Sequence, residues 1–512
     1  MFKKLLIANR GEIALRVVRA CRELGITAVA VYSEADRQSL HVRHADEAYL
    51  IGGAPAQESY LNIPRILEVA RRARVEAVHP GYGFLAENAA FAEAVRDAGI
   101  TFVGPSPESI RLMGDKVQAR RVMQEAGLPV VPGTEELTSE GVAVAAATGI
   151  GYPILIKATA GGGGRGIRTV YRSEELPMAL EAARQEAASA FGHGALYMEK
   201  FLEPVRHVEV QIIADGHGNV VSLGERECSI QRRHQKMIEE APAIGVGRRL
   251  RARLREMAVA AVRAVGYENV GTLEFLIDRK GNVNFLEMNT RLQVEHPVTE
   301  MVTGVDLVAD QIKVAAGEPL AYRQSDVQIR GWAIECRVAT EDPFNSFLPS
   351  VGTVSLVTAP GGPGVRVDSA LYDGLEISYY YDPLIAKLCT WGRDRTEAIQ
   401  RMRRALREFK IVGVSTNIPF HLQVMENLHF QAGRLDTGFV EKHFRPDQEN
   451  GESEERVALL AAALLAHRRG RTGATPGVAG QRRSDGWRLR GRPAAPGRAG
   501  WAQGRGTWRN GT

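Results

Sequence analysis

Cysteine is scarce in this chain, and its four cysteines lie far apart. The sequence therefore has neither the close pairs of a zinc site nor the density of a disulfide framework; the four are Cys21, Cys228, Cys336 and Cys389. No apolar run reaches membrane-spanning length. Met1 lies only a few residues before the strand-like segment 5–8, which leaves no room for a signal or transit peptide. These absences favour a cytoplasmic protein without a membrane segment.

Two nucleotide-binding fingerprints are also missing. The first strand runs into Asn9-Arg10-Gly11-Glu12 instead of a triple-glycine turn, so a dinucleotide-binding Rossmann domain is not supported. The glycine-rich run 157–166 matches G-x-G-x-x-G only in letters, because a strand-like segment follows it instead of a helix. No Lys-Ser or Lys-Thr closes that run as in a Walker loop. Both standard readings of the glycines therefore fail.

The length of 512 residues, with 44% hydrophobic and 24% charged residues, indicates two to four ordinary globular domains. Short apolar strands alternate with helical stretches such as 13–24 and 63–74 over the first hundred residues. The strands are predicted at 5–8, 28–32, 77–78 and 101–103. This alternation predicts a doubly wound α/β domain. A second unit is expected to start near Met113 and a third after Arg330.

Two strand-like segments joined by a short polar loop predict an antiparallel hairpin. The strands are 271–278 and 283–287, and the loop is 279–282. A four-residue loop sets Leu276 opposite Phe285 and Glu274 opposite Glu287. Paired like charges are destabilising unless a cation lies between them, and Asn289 projects to the same side as Glu287. The hairpin therefore predicts either a site for a hard divalent cation or a half-exposed sheet whose acids face water.

Cationic and donor-rich segments accompany the glycine run. Lys157 and Arg165 lie near its ends, and backbone N–H groups of such a loop can fold over phosphates. A flexible surface turn is the alternative, although ordering consecutive glycines carries a large entropic cost. The segment 229–236, Ser-Ile-Gln-Arg-Arg-His-Gln-Lys, is dense in hydrogen-bond donors and suits an anion.

The net charge of +5 is unevenly distributed. From Arg468 to Thr512 there are eleven arginines and one acid, so this tail carries a formal +10 and the preceding body −5. Three of the five tryptophans also lie there, at Trp487, Trp501 and Trp508. Without apolar periodicity, the tail is predicted to be disordered. Basic residues interleaved with aromatics leave RNA binding as the alternative, but we expect no nucleic-acid partner.

Four long motifs in order resemble those of biotin carboxylase, a family of the ATP-grasp superfamily. They are His79-Pro80-Gly81-Tyr82-Gly83-Phe84-Leu85-Ala86-Glu87-Asn88, the run 157–166, the segment 225–236 and the segment 287–299. The resemblance extends from about Met1 to Phe444. It implies an α/β and α+β multidomain fold: a doubly wound parallel sheet over 1–112, an ATP-grasp domain over 113–330 with a mobile glycine-loop lid at 131–203, and a mixed α/β domain over 331–446. Residues 447–512 form the extension.

By this resemblance the chain uses ATP and bicarbonate to carboxylate biotin on a separate carrier protein through carboxyphosphate. The nucleotide-binding residues would be Lys116, Lys157, Gly163, Gly164, Glu199, Lys200, Phe201, Leu202, His207, Gln231 and His234. Two Mg²⁺ or Mn²⁺ ions would bind Glu274, Glu287 and Asn289. The bicarbonate and biotin site would comprise Lys236, Arg291, Gln293, Val294 and Arg337, with Glu295 as the base.

The residue types suit that chemistry. A carboxylate beside bicarbonate can accept its proton while the oxygen attacks the γ-phosphorus, and Arg291 can hold the anion with two parallel hydrogen bonds. Metal ions and lysines offset the charge of the transferred phosphoryl group. Arg337 stays protonated and can stabilise an enolate-like biotin anion.

The extension departs from the resemblance, since 68 residues follow Phe444 and no Ala-Met-Lys-Met biotinylation sequence is present. The expected partners are therefore a biotin carboxyl carrier protein, carboxyltransferase subunits and a second copy of the chain in a homodimer. Residues 455–467 predict a short apolar helix. The expected reaction is the first half-reaction of an acetyl-CoA or other acyl-CoA carboxylase in fatty acid biosynthesis. The alternatives are part of a propionyl-CoA, methylcrotonyl-CoA or pyruvate carboxylase, another ATP-grasp ligase, or a non-catalytic scaffold that binds the carrier.

Overall fold

The computed structural model describes residues 1–159, 167–191 and 194–446, together with Ala463. The glycine loop with Gly163 and Gly164, the predicted helix 455–467 apart from Ala463, and the arginine-rich tail lie outside the described residues. No helix in the described ranges combines the length and apolar character needed to cross a membrane.

A five-stranded parallel sheet forms the amino-terminal part. Its strands are β1 (Lys4–Ile7), β2 (Thr27–Ser33), β3 (Glu47–Gly52), β4 (Ala77–His79) and β5 (Thr101–Phe102), in the order β3-β2-β1-β4-β5. The accompanying helices are α1 (Gly11–Glu23), α2 (Leu40–His44), α3 (Ile63–Ala73), α4 (Ala89–Asp97), α5 (Pro107–Gly114) and α6 (Lys116–Glu125). Leu5 and Ile7 enter one core cluster with α1, and Leu6 enters another with α3 and α4. Both faces of β1 are therefore covered, which confirms the doubly wound prediction.

A small three-stranded sheet follows in the chain. Its strands are β6 (Ile154–Ala158), β7 (Arg168–Val170) and β8 (Leu196–Lys200), in the order β7-β6-β8, with helices α7 (Glu140–Ile150) and α8 (Leu176–Phe191). It has its own apolar cluster, which includes Ile154, Ile156, Ala183 and Met198. The strand predicted after the glycine run is present as β7, which pairs with β6.

An eight-stranded antiparallel sheet dominates the rest of the molecule. Its first strands are β9 (Val205–Ala214), β10 (Val220–Arg232), β11 (Gln235–Ala241), β12 (Asn269–Asp278), β13 (Val283–Asn289) and β14 (Trp332–Ala339). Helices α9 (Arg248–Val265), α10 (His296–Thr303) and α11 (Leu307–Ala315) lie between them in sequence. The strand order is β13-β12-β9-β10-β11-β14, continued by two later strands.

Two of the carboxy-terminal strands extend this same sheet, and the shorter strands form separate two-stranded pairs. Short strands β15 (Glu341–Asp342), β16 (Leu348–Pro349), β17 (Gly352–Thr353) and β18 (Leu356–Thr358) precede β19 (Val365–Ser369), β20 (Glu376–Ile377), β21 (Leu384–Gly392) and β22 (Lys410–Val412). The helices are α12 (Arg395–Glu408), α13 (Ile418–Glu426), α14 (Leu428–Gln431) and α15 (Phe439–His443). Because β21 and β19 continue from β14, one sheet joins the second and third sequence segments.

Candidate active site

The predicted hairpin of β12 and β13 is present, with one difference in register. Glu274 lies opposite Glu287, as predicted, but Leu276 lies opposite Asn284 instead of Phe285. The ladder is irregular between Glu274 and Phe275, and this β-bulge restores the predicted pairing beyond it. The two carboxylates therefore face the same side of the sheet, as required for a shared cation.

The predicted metal ligands contact different neighbours. Asn289 Nδ2 donates to Glu274 Oε1 at 2.7 Å, whereas Glu287 Oε2 lies 3.4 Å from Lys116 Nζ. The alternative prediction, that the acids simply face water, is wrong for Glu274, which is buried. Two carboxylates and an amide oxygen form a set of hard oxygen donors, which fits Mg²⁺ or Mn²⁺.

His207 lies beside this carboxylate cluster on β9. Its Nε2 is 2.9 Å from Glu274 Oε2 and 3.2 Å from Glu209 Oε1, while Gln231 Nε2 lies 3.0 Å from its Nδ1. Burial alone would lower the pKa of His207, but Glu274 and Glu209 raise it to about 9. The imidazolium therefore offsets part of the negative charge that a divalent cation would otherwise neutralise.

Lys236 on β11 connects three buried carboxylates. Its Nζ donates to Glu274 Oε1 at 2.8 Å, to Glu295 Oε1 at 2.7 Å and to Glu209. Burial disfavours the ammonium, yet these carboxylates raise the pKa of Lys236 well above its ordinary value. A permanent cation is thus fixed between the predicted metal site and the predicted base.

Glu295 lies between two cations at the start of α10. Its Oε1 accepts from Lys236, and its Oε2 accepts from Arg337 Nη2 at 2.8 Å. Burial favours the protonated acid, but Lys236 and Arg337 keep the pKa of Glu295 below its usual value. The carboxylate is therefore ionised at neutral pH and available to accept a proton.

The other predicted bicarbonate residues lie in the same loop. Arg291 Nε donates to Glu87 Oε2 at 2.8 Å, and its Nη2 donates to Asn289 Oδ1 at 2.9 Å. Gln293 Nε2 donates to Glu274 Oε1 at 2.9 Å. The carbonyl of Val294 accepts from Lys387 Nζ at 3.3 Å. Direct contacts therefore link Lys236, Glu274, Asn289, Arg291, Gln293, Glu295 and Arg337, whereas Glu287 pairs with Lys116 and Val294 with Lys387.

The predicted nucleotide residues occupy the β8 side of the site. Lys157 Nζ donates to Glu199 Oε2 at 2.5 Å, and Arg120 Nη1 donates to Glu199 Oε1 at 2.5 Å. Lys200 Nζ donates to the carbonyls of residues 151 and 152, each at 2.9 Å. The backbone N–H of Phe201 donates to Pro153 O at 3.0 Å, and Leu202 follows in the connection to β9. The predicted phosphate-binding lysines, Lys116 and Lys157, are thus each paired with a carboxylate.

His234 lies at the tip of the β10–β11 hairpin. Arg233 and His234 form its two-residue turn, with φ values of 50° and 63°. Left-handed backbone at two non-glycine residues is energetically unfavourable, and such strain is concentrated at functional turns. His234 is exposed, whereas His207 is buried.

Sequence reasoning missed three charged residues that hold the site together. Arg226 is fully buried and donates to Glu209, Gln211, Gln293, Thr299 and Thr272. Glu209 accepts from Arg226 and Lys236, and Glu87 accepts from the backbone of Thr290 and from Arg291. Glu209 lies two residues after His207 on β9, so strand periodicity places both side chains on the same face of the sheet.

Comparisons with known proteins agree with this geometry over most of the chain. Residues 1–110 match the model of the biotin carboxylase N-terminal domain, and residues 335–442 match the biotin carboxylase C-terminal domain. Residues 115–323 match the ATP-binding domain of the carbamoyl-phosphate synthase L chain.

Two relatives illustrate the similarity in sequence. Biotin carboxylase 1 of Bacillus subtilis is 54% identical over 446 residues, which cover 86% of this chain and 99% of the relative. A pyruvate carboxylase subunit of Methanothermobacter thermautotrophicus is 52% identical over 492 residues, which cover 92% of this chain and 100% of the relative. The second match therefore includes part of the extension beyond Phe444.

Two crystal structures illustrate the similarity in fold. The biotin carboxylase domain dimer of Hydrogenobacter thermophilus 2-oxoglutarate carboxylase, in complex with MgADP, ADP and bicarbonate, has a TM-score of 0.85 and 50% identity, covering 86% of this chain and 98% of that one. Campylobacter jejuni biotin carboxylase in its β-γ-ATP complex has a TM-score of 0.85 and 48% identity, covering 86% and 99%. The three matched domains, the relatives and the similar crystal structures show that this chain belongs to the biotin carboxylase family.

Proposed function

We propose that this chain is the ATP-dependent ligase that carboxylates biotin on a separate carrier protein, with bicarbonate as the carbon source. The observation that carries the proposal is the position of Glu295, whose carboxylate is held by Lys236 on one oxygen and Arg337 on the other. Relatives at 52–54% identity named biotin carboxylases, and a similar structure containing MgADP and bicarbonate, support it.

The first step is activation of bicarbonate. Bicarbonate beside Arg291 transfers its proton to the Glu295 carboxylate as its oxygen attacks the γ-phosphorus of ATP, which gives carboxyphosphate and ADP. Lys236 keeps Glu295 ionised before the transfer. A low-dielectric setting strengthens each of these contacts, because Glu295 and Lys236 lie in the buried network.

The nucleotide phosphates have a ready set of cations. We propose that Lys116 and Lys157 exchange their carboxylate partners, Glu287 and Glu199, for phosphate oxygens when ATP binds. Two Mg²⁺ or Mn²⁺ ions, held by Glu274, Glu287 and Asn289, would neutralise charge on the transferred phosphoryl group. The glycine loop with Gly163 and Gly164 and residues 199–202 complete the proposed nucleotide site.

The second step uses Arg337. Phosphate released from carboxyphosphate removes the proton from the biotin ureido nitrogen, and the resulting anion attacks the released CO₂ to form the N–C bond. The Arg337 guanidinium stabilises the anion because it remains charged; Glu239 and Glu295 raise its pKa further despite burial.

A bicarbonate-dependent ATPase assay with free biotin tests the proposal. We expect phosphate release to require bicarbonate and to increase with biotin, and Glu295→Gln to lower it by about 10²-fold or more. Glu376→Gln is the matched control, since Glu376 is an exposed carboxylate of β20. Bicarbonate-independent hydrolysis, or equal rates for the two variants, would refute the proposed base. Biotin stimulation also separates this enzyme from another ATP-grasp ligase or a silent scaffold.

A separate part of the proposal concerns the oligomeric state and the partner proteins. The similar structure from Hydrogenobacter is a dimer, and we propose a homodimer that serves a separate biotin carboxyl carrier protein and carboxyltransferase subunits. The relatives include subunits or domains of pyruvate and 2-oxoglutarate carboxylases, so the final acceptor is set by the transferase and not by the residues described above. A role in fatty acid biosynthesis and a cytoplasmic location stay predictions. Light scattering tests the homodimer, and affinity purification of the complex from its host identifies the carrier and transferase.

The domain boundaries are likewise proposed at residues 112, 330 and 446. The three domain matches, which end at residues 110, 323 and 442, support them. The lid over 131–203 is proposed to close on ATP, and X-ray scattering with and without nucleotide tests this: identical profiles would contradict closure.

A further inference from the structure

One face of the sheet behind the active site carries an unusual row of polar residues. Antiparallel pairing sets Glu239 of β11 opposite Glu335 of β14, which lies opposite Cys389 of β21. Two residues further along β14, Arg337 lies opposite Lys387 of β21. Most intervening residues, among them Ile334, Cys336 and Leu388, enter the core beneath α12, where Glu240 pairs with Arg395 of that helix. The polar row therefore faces α10 and the loop that carries Glu295.

The hydrogen bonds of the two facing glutamates leave one oxygen of each unused. Arg337 Nε donates to Glu239 Oε1 at 2.6 Å, and Cys389 Sγ donates to Glu335 Oε2 at 3.3 Å. Glu239 Oε2 and Glu335 Oε1 are both buried and have no hydrogen-bond partner among the described residues. Buried polar atoms are rarely left unpaired, so this pair of oxygens requires an explanation.

Two ionised carboxylates cannot both be accommodated here. Glu239 and Glu335 are each 0% exposed, and like charges directly opposite each other on a sheet are destabilising. Within the described ranges Glu335 forms no ion pair, because Arg337 contacts Glu239 and Glu295, while Lys387 Nζ lies 3.1 Å from Glu12. Isolated buried carboxylates neutralise by taking up a proton.

The surrounding charges act in the same direction. Burial is the largest influence on Glu335, and Glu239 and Glu295 add to it, so its pKa rises well above the ordinary value despite Lys387 and Arg337. Burial also raises the pKa of Glu239, to about 7, although Arg337 opposes the shift. Arg337 contacts Glu239 but forms no ion pair with Glu335 among the described residues.

We propose that Glu335 is a neutral carboxylic acid that donates a hydrogen bond to Glu239 and so fixes Glu239 as the anchor of Arg337. One proton between Glu335 Oε1 and Glu239 Oε2 satisfies both unused oxygens. Glu335 is then a positioning residue, since it acts on the proposed catalytic Arg337 only through Glu239. A neutral Glu335 also adds no further negative charge near Arg337. Such a charge would weaken the attraction of Arg337 for anionic biotin. The positioning role of Glu335 rests on the proposed function, whereas its protonation state does not depend on that function.

Infrared spectroscopy of the full chain tests the proton directly. Glu335→Gln keeps the shape and a hydrogen-bond donor but removes the acid, so the spectrum of the parent minus that of the variant should contain one carboxylic-acid carbonyl band that shifts in D₂O. Glu376→Gln, the matched exposed change, should show no such band. Absence of the band from the Glu335→Gln difference at neutral pH would overturn the proposal, whether or not the protein proves to carboxylate biotin.

Kinetics test the positioning role. Glu335→Gln should keep biotin-stimulated ATP cleavage within about threefold of the parent, whereas Glu335→Met, which cannot donate, should lower it about tenfold, the cost of one hydrogen bond to a charged group. Because Lys236 still holds Glu295 in both variants, biotin-independent, bicarbonate-dependent cleavage should fall less than the biotin-stimulated rate. Equal biotin-dependent rates for Gln and Met would overturn the positioning role. A parent protein without biotin stimulation would instead refute the proposed function and leave the infrared result intact.

Discussion

The strongest stability prediction concerns Lys387, a fully buried lysine that is not among the residues assigned to substrates. Its Nζ lies 3.1 Å from Glu12 Oε2 and 3.8 Å from Asp368 Oδ2, and it donates to the carbonyl of Val294. These contacts join α1, β19 and residues 291–295, the proposed bicarbonate loop. We predict that Lys387→Met destabilises the protein because Glu12 is left buried without a cation.

The size of the effect can be estimated from Glu12. Burial already raises the pKa of Glu12, and Lys387 is the main influence that opposes this. Without Lys387, Glu12 must take up a proton at pH 7, about 2.7 units above its unfolded pKa of about 4.3, which costs at most about 3.7 kcal/mol. This agrees with the loss of about 3–5 kcal/mol seen when one partner of a buried pair is removed.

Urea unfolding measures this loss, with Lys4→Met as the matched control. Lys4 pairs with Glu47 at the surface, where both side chains are partly exposed, so its removal should cost under about 1 kcal/mol. Adding Glu12→Gln to Lys387→Met should recover part of the loss. Because folded Lys387→Met binds a proton at Glu12 that the unfolded chain lacks, the defect should shrink as pH falls from 7 toward 5. A defect no larger than that of Lys4→Met, or one independent of pH and of Glu12, would refute this reasoning.

Three further predictions concern other buried groups. Burial lowers the pKa of His421 to about 4. Neutral His421 therefore stabilises the folded protein fully above pH 6.5, and this contribution decreases by about 3 kcal/mol as the pH falls toward 4. In calorimetry, His421→Asn should flatten that part of the stability profile. Arg226→Met should cost about 3–5 kcal/mol in urea unfolding because Glu209 loses one of its buried cationic partners, and added Glu209→Gln should recover part of it. Glu274→Gln should raise the Mg²⁺ concentration needed for half-maximal ATP cleavage about tenfold or more, while an unchanged requirement would remove Glu274 from the metal site.

The hairpin confirms the predicted pairing of Glu274 with Glu287 although the predicted register is inexact. The loop is one residue longer than predicted, because the Asp278 side chain accepts from the backbone N–H groups of Lys280 and Asn282 and joins the turn. The bulge then shifts the ladder by one residue, and Glu274 again faces Glu287. Sequence periodicity predicts the two strands, but neither the turn nor its compensating bulge follows from alternation alone.

Buried charges were the harder part of the site. Arg226 lies between two glutamates on β10 and Glu335 between Ile334 and Cys336 on β14, and alternation shows which face each occupies without showing that the face is buried. What buries them is α10 and the loop before it, which are distant in sequence. The edge strand β3 was missed for a related reason: Glu47–Gly52 pairs on one side only and is mostly half-buried, so its apolar signal is weak.

The bicarbonate loop owes its position to segments outside the strand hairpin that precedes it. Glu87, from the amino-terminal sheet region, holds the backbone of Thr290 and the side chain of Arg291. Lys387, from β21, holds the carbonyl of Val294. A loop fixed at both ends by different parts of the chain keeps its acid and its arginine at a set separation, which the proposed proton transfer to Glu295 requires. Residues 115–323, which match the ATP-binding domain, therefore contain every proposed metal ligand but not the residues that hold the loop of the proposed base in place.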